Sequence, residues 1–363
     1  MKKIAVLIIF LYCLAGSFGN RASGQRAPFN RGVNLTNWFQ AGSAQQIRFS
    51  KYTKKDFEQL KSLGCDVIRL PINLHAMTNG APDYTLDPLF LSLLDQVVGW
   101  AKELGLHLIL DNHSFDSSVS TDPGVGRILL KVWPQMARHY KGSTAKLYYE
   151  ILNEPHGIAD KLWNSIQQQV VTAIRKIDKT PTIIVGPASW NSYNKLKDMP
   201  VYSDRNLIYT FHFYDPFLFT HQGAGWAGLT DLHGMPFPYK PDEMPPLPST
   251  YKGTWVESSY NNYSSDGTVA KVKALIDIAV KFGHDRNVPI YCGELGVYMA
   301  VSPDSDRIFW YGVVRKYLEK KKIAWTSWDY QGSFGLFRKN SNERFNNDLN
   351  ISLIDTLGLT APN

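Results

Sequence analysis

The feature that most constrains the fold of this chain is a short apolar segment that recurs along its whole length. Most of these segments have the continuous apolar character of parallel strands that are covered on both faces. Stretches with helical spacing separate them. The pattern therefore predicts eight buried strands, within residues 29–38, 65–73, 107–113, 146–153, 181–187, 207–214, 289–294 and 323–328.

The stretches between the predicted strands carry apolar residues at helical intervals. Thr53 is a suitable cap for a helix over residues 53–63, and Gly105 ends a helix over residues 89–104. Strands that alternate with helices form right-handed βαβ units, and eight such units predict an α/β fold with one closed (β/α)8 TIM barrel. A doubly wound open sheet is the alternative, but no glycine-rich phosphate loop follows the first strand. Further helices are predicted over residues 159–177, 269–282 and 304–317.

One connection, residues 215–266 between the sixth strand and its helix, is much longer than the others. It is rich in proline, glycine and aromatic residues, among them Trp226 and Trp255. A connection of this length in a compact domain is usually functional or disordered. Its aromatic content argues against disorder, so we predict that it forms the wall of a cleft.

The amino terminus has the form of a secretory signal peptide. A basic start, Met1-Lys2-Lys3, precedes an apolar stretch that is short for a membrane span and is followed by small residues. We therefore expect residues 1–22 to be a signal peptide with an uncertain cleavage site, and residues 27–360 to be one catalytic domain. The mature protein is expected to be secreted, either extracellular or periplasmic, and to have no membrane contact.

Charge and cysteine content exclude some classes of partner. The net charge is +7, but the basic residues are scattered, so we expect no nucleic-acid partner. Cys65 and Cys292 remain after signal removal, on predicted strands that are not neighbours in the barrel. We expect both to be buried free thiols and the protein to be a monomer.

Two glutamates, Glu154 and Glu294, close strand-like segments that are far apart in sequence. Active sites of (β/α)8 barrels lie at the carboxyl ends of the strands, so both side chains should line one mouth. Two carboxylates that flank one bond are the minimum equipment for hydrolysing a glycosidic linkage. Other polar residues at predicted strand ends share this mouth: Arg69, His113, Asn153, His212, Tyr214 and Trp328.

These residues carry a family resemblance that covers nearly the whole mature chain. The segments Arg69-Leu70-Pro71, Leu152-Asn153-Glu154-Pro155, His212-Phe213-Tyr214 and Gly293-Glu294 resemble glycoside hydrolase family 5, the cellulase family of retaining (β/α)8 glycosidases. Two further segments, residues 219–224 and Asn347-Asp348-Leu349, resemble the branch that contains bacterial endo-β-1,4-glucanases, some of which also cleave mannan.

The resemblance implies roles for the two glutamates. Glu154 would be the general acid and base, which requires that burial or a nearby carboxylate raise its pKa. Glu294 would be the nucleophile, kept ionised and aimed by Arg69 and Tyr214. In a retaining enzyme the two carboxyl groups are about 5–5.5 Å apart.

The resemblance also implies which residues bind substrate. Asn153 would contact the sugar 2-hydroxyl, His113 and His212 would position the sugar and the acid, and Trp328 would lie under the reacting ring. Asn37, His221 and Trp226 complete the expected substrate-binding set. We expect no metal and no organic cofactor, and a β-glucan polysaccharide or oligosaccharide as the substrate.

Several polar residues have a simpler interpretation. Glu150 and Asp111 are expected to be buried ion-pairing or orienting groups, with Asp111 fixing the tautomer of His113. We interpret His75, His107 and His156 as ordinary polar residues. Two positions, Ser114 and Gln40, depart from the family pattern, where related sequences often have a second histidine and an acidic residue.

The sequence favours a secreted retaining endo-β-1,4-glucanase and leaves three alternatives. The same residues can serve an endo-β-1,4-mannanase or a mixed-linkage or β-1,3-glucan hydrolase. A metal-dependent barrel hydrolase would use His113, His212 and Glu294, but no His-x-His pair on an early strand supports it. A catalytically inactive carbohydrate-binding barrel would not require both Glu154 and Glu294.

Overall fold

Eight parallel strands form one closed barrel in chain order, with β8 paired to β1. The computed structural model describes residues 25–115 and 118–361, so the predicted signal peptide, residues 1–22, lies outside the described residues. Each predicted segment holds one strand, and the predicted (β/α)8 barrel is confirmed. The strands are β1 Arg31–Asn34, β2 Val67–Ile72, β3 His107–Asn112, β4 Leu147–Glu150, β5 Thr182–Val185, β6 Leu207–Phe213, β7 Ile290–Leu295 and β8 Ala324–Ser327.

Helices pack around the barrel and begin and end where local chemistry dictates. Thr53 and Asp56 form a reciprocal capping box at the start of the first helix. Gly105 ends the second helix with φ of +68°, a conformation that glycine adopts without strain. The helices are α1 Lys54–Ser62, α2 Pro88–Leu104, α3 Val125–His139, α4 Asp160–Ile177, α5 Trp255–Asn261, α6 Val269–Arg286, α7 Asp304–Lys320 and α8 Ile351–Thr356.

Two regions depart from the predicted alternation. Helix α3 was not among the predicted helices; it has Pro134 in its interior, a residue that normally ends a helix because it lacks an amide hydrogen. Between β5 and β6, the chain forms only the short turn Ala188–Asn191 and the 3-10 helix Tyr193–Asp198. The fifth β/α unit therefore has no full-length helix, and its loop residues lie close to the mouth.

The barrel interior is filled in layers. A layer of apolar side chains, which includes Val67, Ile109, Tyr148 and Tyr291, packs around Phe29 at the amino-terminal end. The Phe29 ring meets the Tyr148 and Tyr291 rings edge-on, with centroids 5.3 and 5.2 Å away. Inward-facing residues alternate along a strand, so the next layer lies two residues further on. That layer is polar and forms the floor of the mouth: it contains Asn34, Arg69, Asp111, Glu150 and Thr326.

The long connection of residues 215–266 is fastened to the barrel by buried hydrogen bonds. The Gln222 side chain accepts from Met235 N at 2.9 Å and donates to Met235 O at 3.1 Å. Asp306 on α7 accepts from Phe237 N at 3.0 Å. These bonds and the buried side chains of the connection give it a defined position, as the aromatic content predicted.

Cys65 and Cys292 are both buried and free, as predicted. Among residues 25–115 and 118–361, no helix has the length and apolar character needed to cross a membrane.

Candidate active site

The two glutamates meet at the carboxyl end of the barrel. Glu294 lies within β7, whereas Glu154 lies beyond the last residue of β4, in a loop where its φ is +36°. The interpretation of Glu154 as a strand-end residue is therefore corrected: a left-handed turn aims its carboxylate. One oxygen of each carboxylate and a ring nitrogen of His212 all lie within 4.8 Å of one another.

An irregularity between β6 and β7 brings His212 beside Glu294. The register shifts between Phe211 and His212, so that Phe211 pairs with Cys292 but His212 pairs with Glu294. Gly293 therefore has no partner on β6 in this pairing. A Cβ at Gly293 would lie 2.8 Å from Thr210 Oγ1 and 3.1 Å from His212 Nε2. A larger residue would therefore have to displace the Thr210 hydroxyl and press on the His212 ring, so glycine suits this position.

Arg69 connects most of the polar floor. It is fully buried, and its Nε and Nη2 donate to the two oxygens of Glu150 at 2.8 and 2.9 Å. Its Nη1 donates to Glu294 Oε1 at 2.8 Å, and its Nη2 donates to Asn153 Oδ1 at 2.9 Å. Sequence reasoning weighed pairing with Glu150 against an active-site role. The guanidinium does both, because its donors form a rigid fork.

Glu294 is held in one orientation. It is 4% exposed, and Tyr214 Oη donates to its Oε2 at 2.8 Å while Arg69 donates to its Oε1. Asn34, which sequence reasoning did not assign to the site, accepts from Arg69 Nη1 at 2.9 Å and donates to Gly293 O at 3.2 Å. Both oxygens of Glu294 thus face donors, which stabilise a negative charge at this position.

Glu154 has fewer hydrogen-bond partners than Glu294, and its side chain is more exposed, at 18% against 6%. His212 Nδ1 and Glu154 Oε1 are 2.6 Å apart and share one hydrogen bond. Burial raises the pKa of Glu154 to about 7, against the opposing effects of His113 and Arg69. Burial also lowers the pKa of His212 to about 4, so the imidazole is neutral near pH 7. Glu154 can therefore both hold and release a proton near neutral pH.

His113 is oriented by a buried carboxylate and an aromatic ring. Asp111 Oδ2 lies 2.7 Å from His113 Nδ1, which is the pairing predicted from their shared strand face. A proton held on Nδ1 leaves Nε2 as an acceptor, 3.4 Å from Asn153 Nδ2. The His113 ring stacks on Trp328, with centroids 5.4 Å apart and an interplanar angle of 18°.

The remaining predicted residues lie further from the glutamates. Asn37 is exposed and donates through its backbone amide to Gln40 Oε1 at 2.6 Å. His221 is buried, stacks on Phe217 at 4.1 Å and meets Tyr214 edge-on at 5.0 Å. Trp226 is 62% exposed. Within the described part of the chain, no hydrogen bond joins Asn37, His221 or Trp226 to Glu154 or Glu294.

His156 belongs to the mouth, although its sequence context predicted an ordinary polar residue. Its Nδ1 lies 3.0 Å from Glu154 O, and its ring stacks on Trp190 with centroids 4.5 Å apart. Trp190 and its neighbours Ser189 and Asn191 have φ of +56°, +60° and +51°. Consecutive non-glycine residues in this conformation are strained, and such strain concentrates at functional sites. The only available signal was the position of His156 close to Glu154.

The two departures from the family pattern have different structural consequences. Ser114 is buried, donates to Asn112 Oδ1 at 2.5 Å and accepts from His75 N at 2.8 Å, so its hydroxyl is used within the protein. Gln40 lines an open cavity of about 440 Å³ that continues to Glu154. Ser114 lines the same cavity, so both positions border the space available to a sugar.

Glu154, His212 and Glu294 are close enough to hold a cation by distance alone. However, Arg69 and Tyr214 already donate to both oxygens of Glu294, and His212 is paired with Glu154. A cation would have to displace these donors and lie beside a guanidinium. His113, the third residue of the alternative metal set, is not part of this cluster.

Two carboxylates that face each other across the mouth of a (β/α)8 barrel are the arrangement that O-glycosyl hydrolases use. A comparison with protein families matches residues 24–333 to the cellulase family, glycosyl hydrolase family 5. The chain belongs to this family, and it is a glycoside hydrolase. The resemblance noted in the sequence is thereby confirmed.

The chain is similar in sequence to proteins named endoglucanases and in structure to Cel5A. Endoglucanase 3 of Fibrobacter succinogenes is 31% identical over 85% of this chain, which spans 50% of that relative's length. Endoglucanase C of Acetivibrio thermocellus is 29% identical over 84% of this chain and 91% of its own length. Crystal structures of Cel5A of Thermotoga maritima with mannotriose and with cellobiose are 26% identical, with a TM-score of 0.76, and cover 91% of this chain and 97% of theirs.

Proposed function

We propose that this protein is an exported, retaining endo-β-1,4-glucanase in which Glu154 is the general acid and base and Glu294 is the nucleophile. The observation that carries the proposal is the unlike treatment of two close carboxylates. Glu294 faces two donors, whereas burial raises the pKa of Glu154 to about 7. Pairs of carboxylates with unlike environments divide into acid and nucleophile.

In the first step, Glu294 attacks the anomeric carbon of the sugar whose bond is cleaved. The bond from that carbon to the leaving oxygen breaks, and Glu154 gives its proton to this oxygen. The product is a covalent glycosyl–Glu294 ester and a free sugar chain. Arg69 and Tyr214 hold the Glu294 oxygens in place, so the attacking lone pair needs little reorganisation.

In the second step, water replaces the leaving sugar. Glu154, now ionised, takes a proton from the water while the oxygen of that water attacks the anomeric carbon and releases Glu294. A pKa of about 7 suits a group that must donate a proton in one step and accept one in the next. The neutral His212 supports both forms, since its Nδ1 can donate to the ionised carboxylate or accept from the protonated one.

The other site residues position the sugar in this proposal. Asn153 has its Oδ1 fixed by Arg69 and its Nδ2 3.4 Å from His113 Nε2, and the second amide hydrogen would bind the sugar 2-hydroxyl. Trp328, held by the His113 ring, is the apolar floor under the reacting ring. Asn37, His221 and Trp226 would act on more distant sugar units, because they lie outside the hydrogen-bonded centre.

The separation of the carboxylates supports retention over inversion. Inverting enzymes keep their carboxyl groups about 6.5–9.5 Å apart to accommodate a water molecule, and retaining enzymes keep them about 5–5.5 Å apart. An approach within 4.8 Å between one oxygen of each favours the shorter class. Proton NMR of the first sugar released from cellohexaose tests this point: retention gives the β-anomer before mutarotation, and initial α-anomer would overturn the assignment.

The substrates that the relatives are named for favour two candidates for this chain. Endoglucanases from Fibrobacter and Acetivibrio favour a β-1,4-glucan, while the mannotriose complex of the Thermotoga protein favours a β-mannan as the second candidate. Parallel assays on carboxymethylcellulose, glucomannan and β-1,3-glucan separate the candidates. We expect the highest kcat/KM on the β-1,4-glucan, and faster turnover of mannan would reverse the ranking. We also propose that the enzyme acts as a monomer outside the cytoplasm.

A further inference from the structure

The two glutamates divide the barrel mouth into two unequal arcs. Glu154 follows β4 and Glu294 lies in β7, so the ends of β5 and β6 form one arc and the ends of β8, β1, β2 and β3 form the other. Trp328 and His113 belong to the wide arc. A polysaccharide that passes between the glutamates must therefore extend over the narrow arc on its other side.

A row of rings leads outward from the catalytic centre over the narrow arc. Tyr214, which donates to Glu294, lies 5.0 Å from His221, and His221 stacks on Phe217 at 4.1 Å. Trp255 lies next, 6.0 Å from Phe217. The inner members are covered, but Phe217 is 37% exposed and Trp255 is 51% exposed. The row thus ends in two open rings that no part of the mechanism uses.

These two rings are held in fixed positions. Trp255 is the first residue of α5, and Thr254 caps this helix by accepting from Val256 N at 3.2 Å and donating to Tyr251 O at 2.7 Å. Phe217 begins a helical turn whose next residues, Leu218 and Phe219, are buried. Rings on such a support need no ordering when a ligand binds, which favours binding.

Polar groups line a cavity of about 240 Å³ beside Phe217. Ser259 faces it from α5, one helical turn after Trp255 and hence on the same side of the helix. Asp215, which accepts from Tyr193 Oη at 2.8 Å, also lines the cavity. So do Asp266 and Lys271, which form an ion pair at 3.3 Å. Flat apolar rings next to hydroxyl, carboxylate and ammonium groups suit a pyranose, which has apolar C–H faces and a rim of hydroxyls.

We infer that Phe217, Trp255 and this cavity form a distal sugar site, which binds glucosyl units of a β-linked glucan on the leaving-group side of the cleaved bond. The inference rests on the proposed function, in which Trp328 lies under the ring that Glu294 attacks. Because Trp328 is in the wide arc, the departing part of the chain lies over the narrow arc. The two exposed rings and the polar groups of the adjacent cavity favour a sugar chain as the occupant.

The distal site gives the enzyme a preference for long chains. Binding energy from remote sugar units raises kcat/KM when it is realised in the transition state, and a short substrate forfeits it. A chain that is held on both sides of the glutamates is cut internally. The site therefore supplies the endo action, which the sequence left open.

The test compares substrates that do and do not reach the rings. Cellohexaose offers sugars on the leaving side, whereas an aryl β-cellobioside has only a phenol there. The variants are Trp255→Ala, Phe217→Ala and the ring-retaining Trp255→Phe. Phe309→Ala is the matched control, since Phe309 is a 47% exposed ring on α7. Thermal unfolding is recorded for each variant, so that a folding defect is separated from a binding effect.

We expect Trp255→Ala and Phe217→Ala each to lower kcat/KM on cellohexaose by about three- to tenfold, the amount that one aromatic contact supplies. Their kcat/KM on the aryl cellobioside should fall by less than about twofold, as should both values for Phe309→Ala. Trp255→Phe should lie between Trp255→Ala and the unchanged enzyme. Equal losses on both substrates, or no loss on cellohexaose, overturn the distal site. An unchanged enzyme that hydrolyses neither substrate overturns the proposed function instead.

Discussion

Glu294 and Glu154 face each other across the barrel mouth, yet the protein holds them in opposite ways. Glu294 is part of a strand, is 4% exposed and has a donor on each oxygen. Glu154 lies in a loop with φ of +36°, its side chain is 18% exposed, and among the described residues its carboxylate hydrogen bond is to His212. One carboxylate is fixed by two donors, while the other is only lightly restrained.

This difference explains how one site can hold both a nucleophile and a proton donor. The Arg69 guanidinium and the Tyr214 hydroxyl donate to the two oxygens of Glu294, so that this carboxylate is held in one orientation, as a nucleophile requires. Near Glu154, burial outweighs the favourable charges of His113 and Arg69, so that the pKa rises to about 7.

The largest expected effect comes from replacing the carboxylate of Glu294, the glutamate that is held by two donors. Glu294→Gln keeps the shape of the side chain but cannot form the covalent intermediate, so kcat on cellohexaose should fall by roughly 10⁴- to 10⁶-fold. Calorimetric titration with cellohexaose should show binding close to that of the unchanged enzyme. Normal hydrolysis by this variant would remove Glu294 from the role of nucleophile and would favour a different pair of carboxylates.

The next largest effect is expected from removing the proton that Glu154 donates. Glu154→Gln should lower kcat/KM on cellohexaose by about 10²- to 10⁴-fold, the usual contribution of a general acid. On a dinitrophenyl β-cellobioside the loss in kcat/KM should be much smaller, because a dinitrophenolate departs without a proton. Equal losses on both substrates would indicate that Glu154 positions the sugar and does not donate a proton.

Much of this comparison was predictable from sequence. Continuous apolar segments such as that of β7 identify strands buried on both faces, and parallel strand ends meet at one edge. Arg69 was therefore expected in the mouth and Asp111 as a buried ion-pairing group, and their contact follows from inward-facing positions on β2 and β3. Glu294 was also expected in the mouth, but it reaches Arg69 beside the irregularity at Gly293. Where regular structure places a residue, local pattern is sufficient.

The rest depended on tertiary contacts that no local pattern reports. The left-handed turn at Glu154 and the left-handed segment of Ser189, Trp190 and Asn191 are held by the surrounding fold, because their intrinsic preference is for other conformations. Helix α3 was missed since Pro134 lies inside it, and the missing helix after β5 has no clear signal in the apolar spacing. Loops and strained turns are the parts of the site that sequence described least well.

A moderate effect is expected from removing one of the two hydrogen bonds that hold Glu294 while keeping its carboxylate. Tyr214→Phe deletes the hydroxyl that donates to Glu294 Oε2 at 2.8 Å and keeps the ring that packs on His221. A hydrogen bond to a charged group contributes about 1.5–3 kcal/mol, so kcat/KM should fall by roughly 10- to 100-fold.

The control for Tyr214→Phe is the melting temperature, which should change little because the aromatic packing remains. A variant with unchanged kcat/KM would show that Arg69 alone is sufficient to orient Glu294.

The smallest expected effect is a pH dependence of kcat/KM that arises from Glu154. Burial raises the pKa of Glu154 to about 7, so the free enzyme has this acid protonated below that pH and loses it above. The value of kcat/KM on cellohexaose should therefore fall about tenfold for each pH unit above the pKa. The same limb should be absent from the profile of Glu154→Gln on the dinitrophenyl substrate. A limb near pH 4.3, the ordinary value for glutamate, would mean that the mouth is wet around Glu154. In that case burial would not be what distinguishes the two carboxylates, and the hydrogen bonds to Glu294 would have to account for the whole difference.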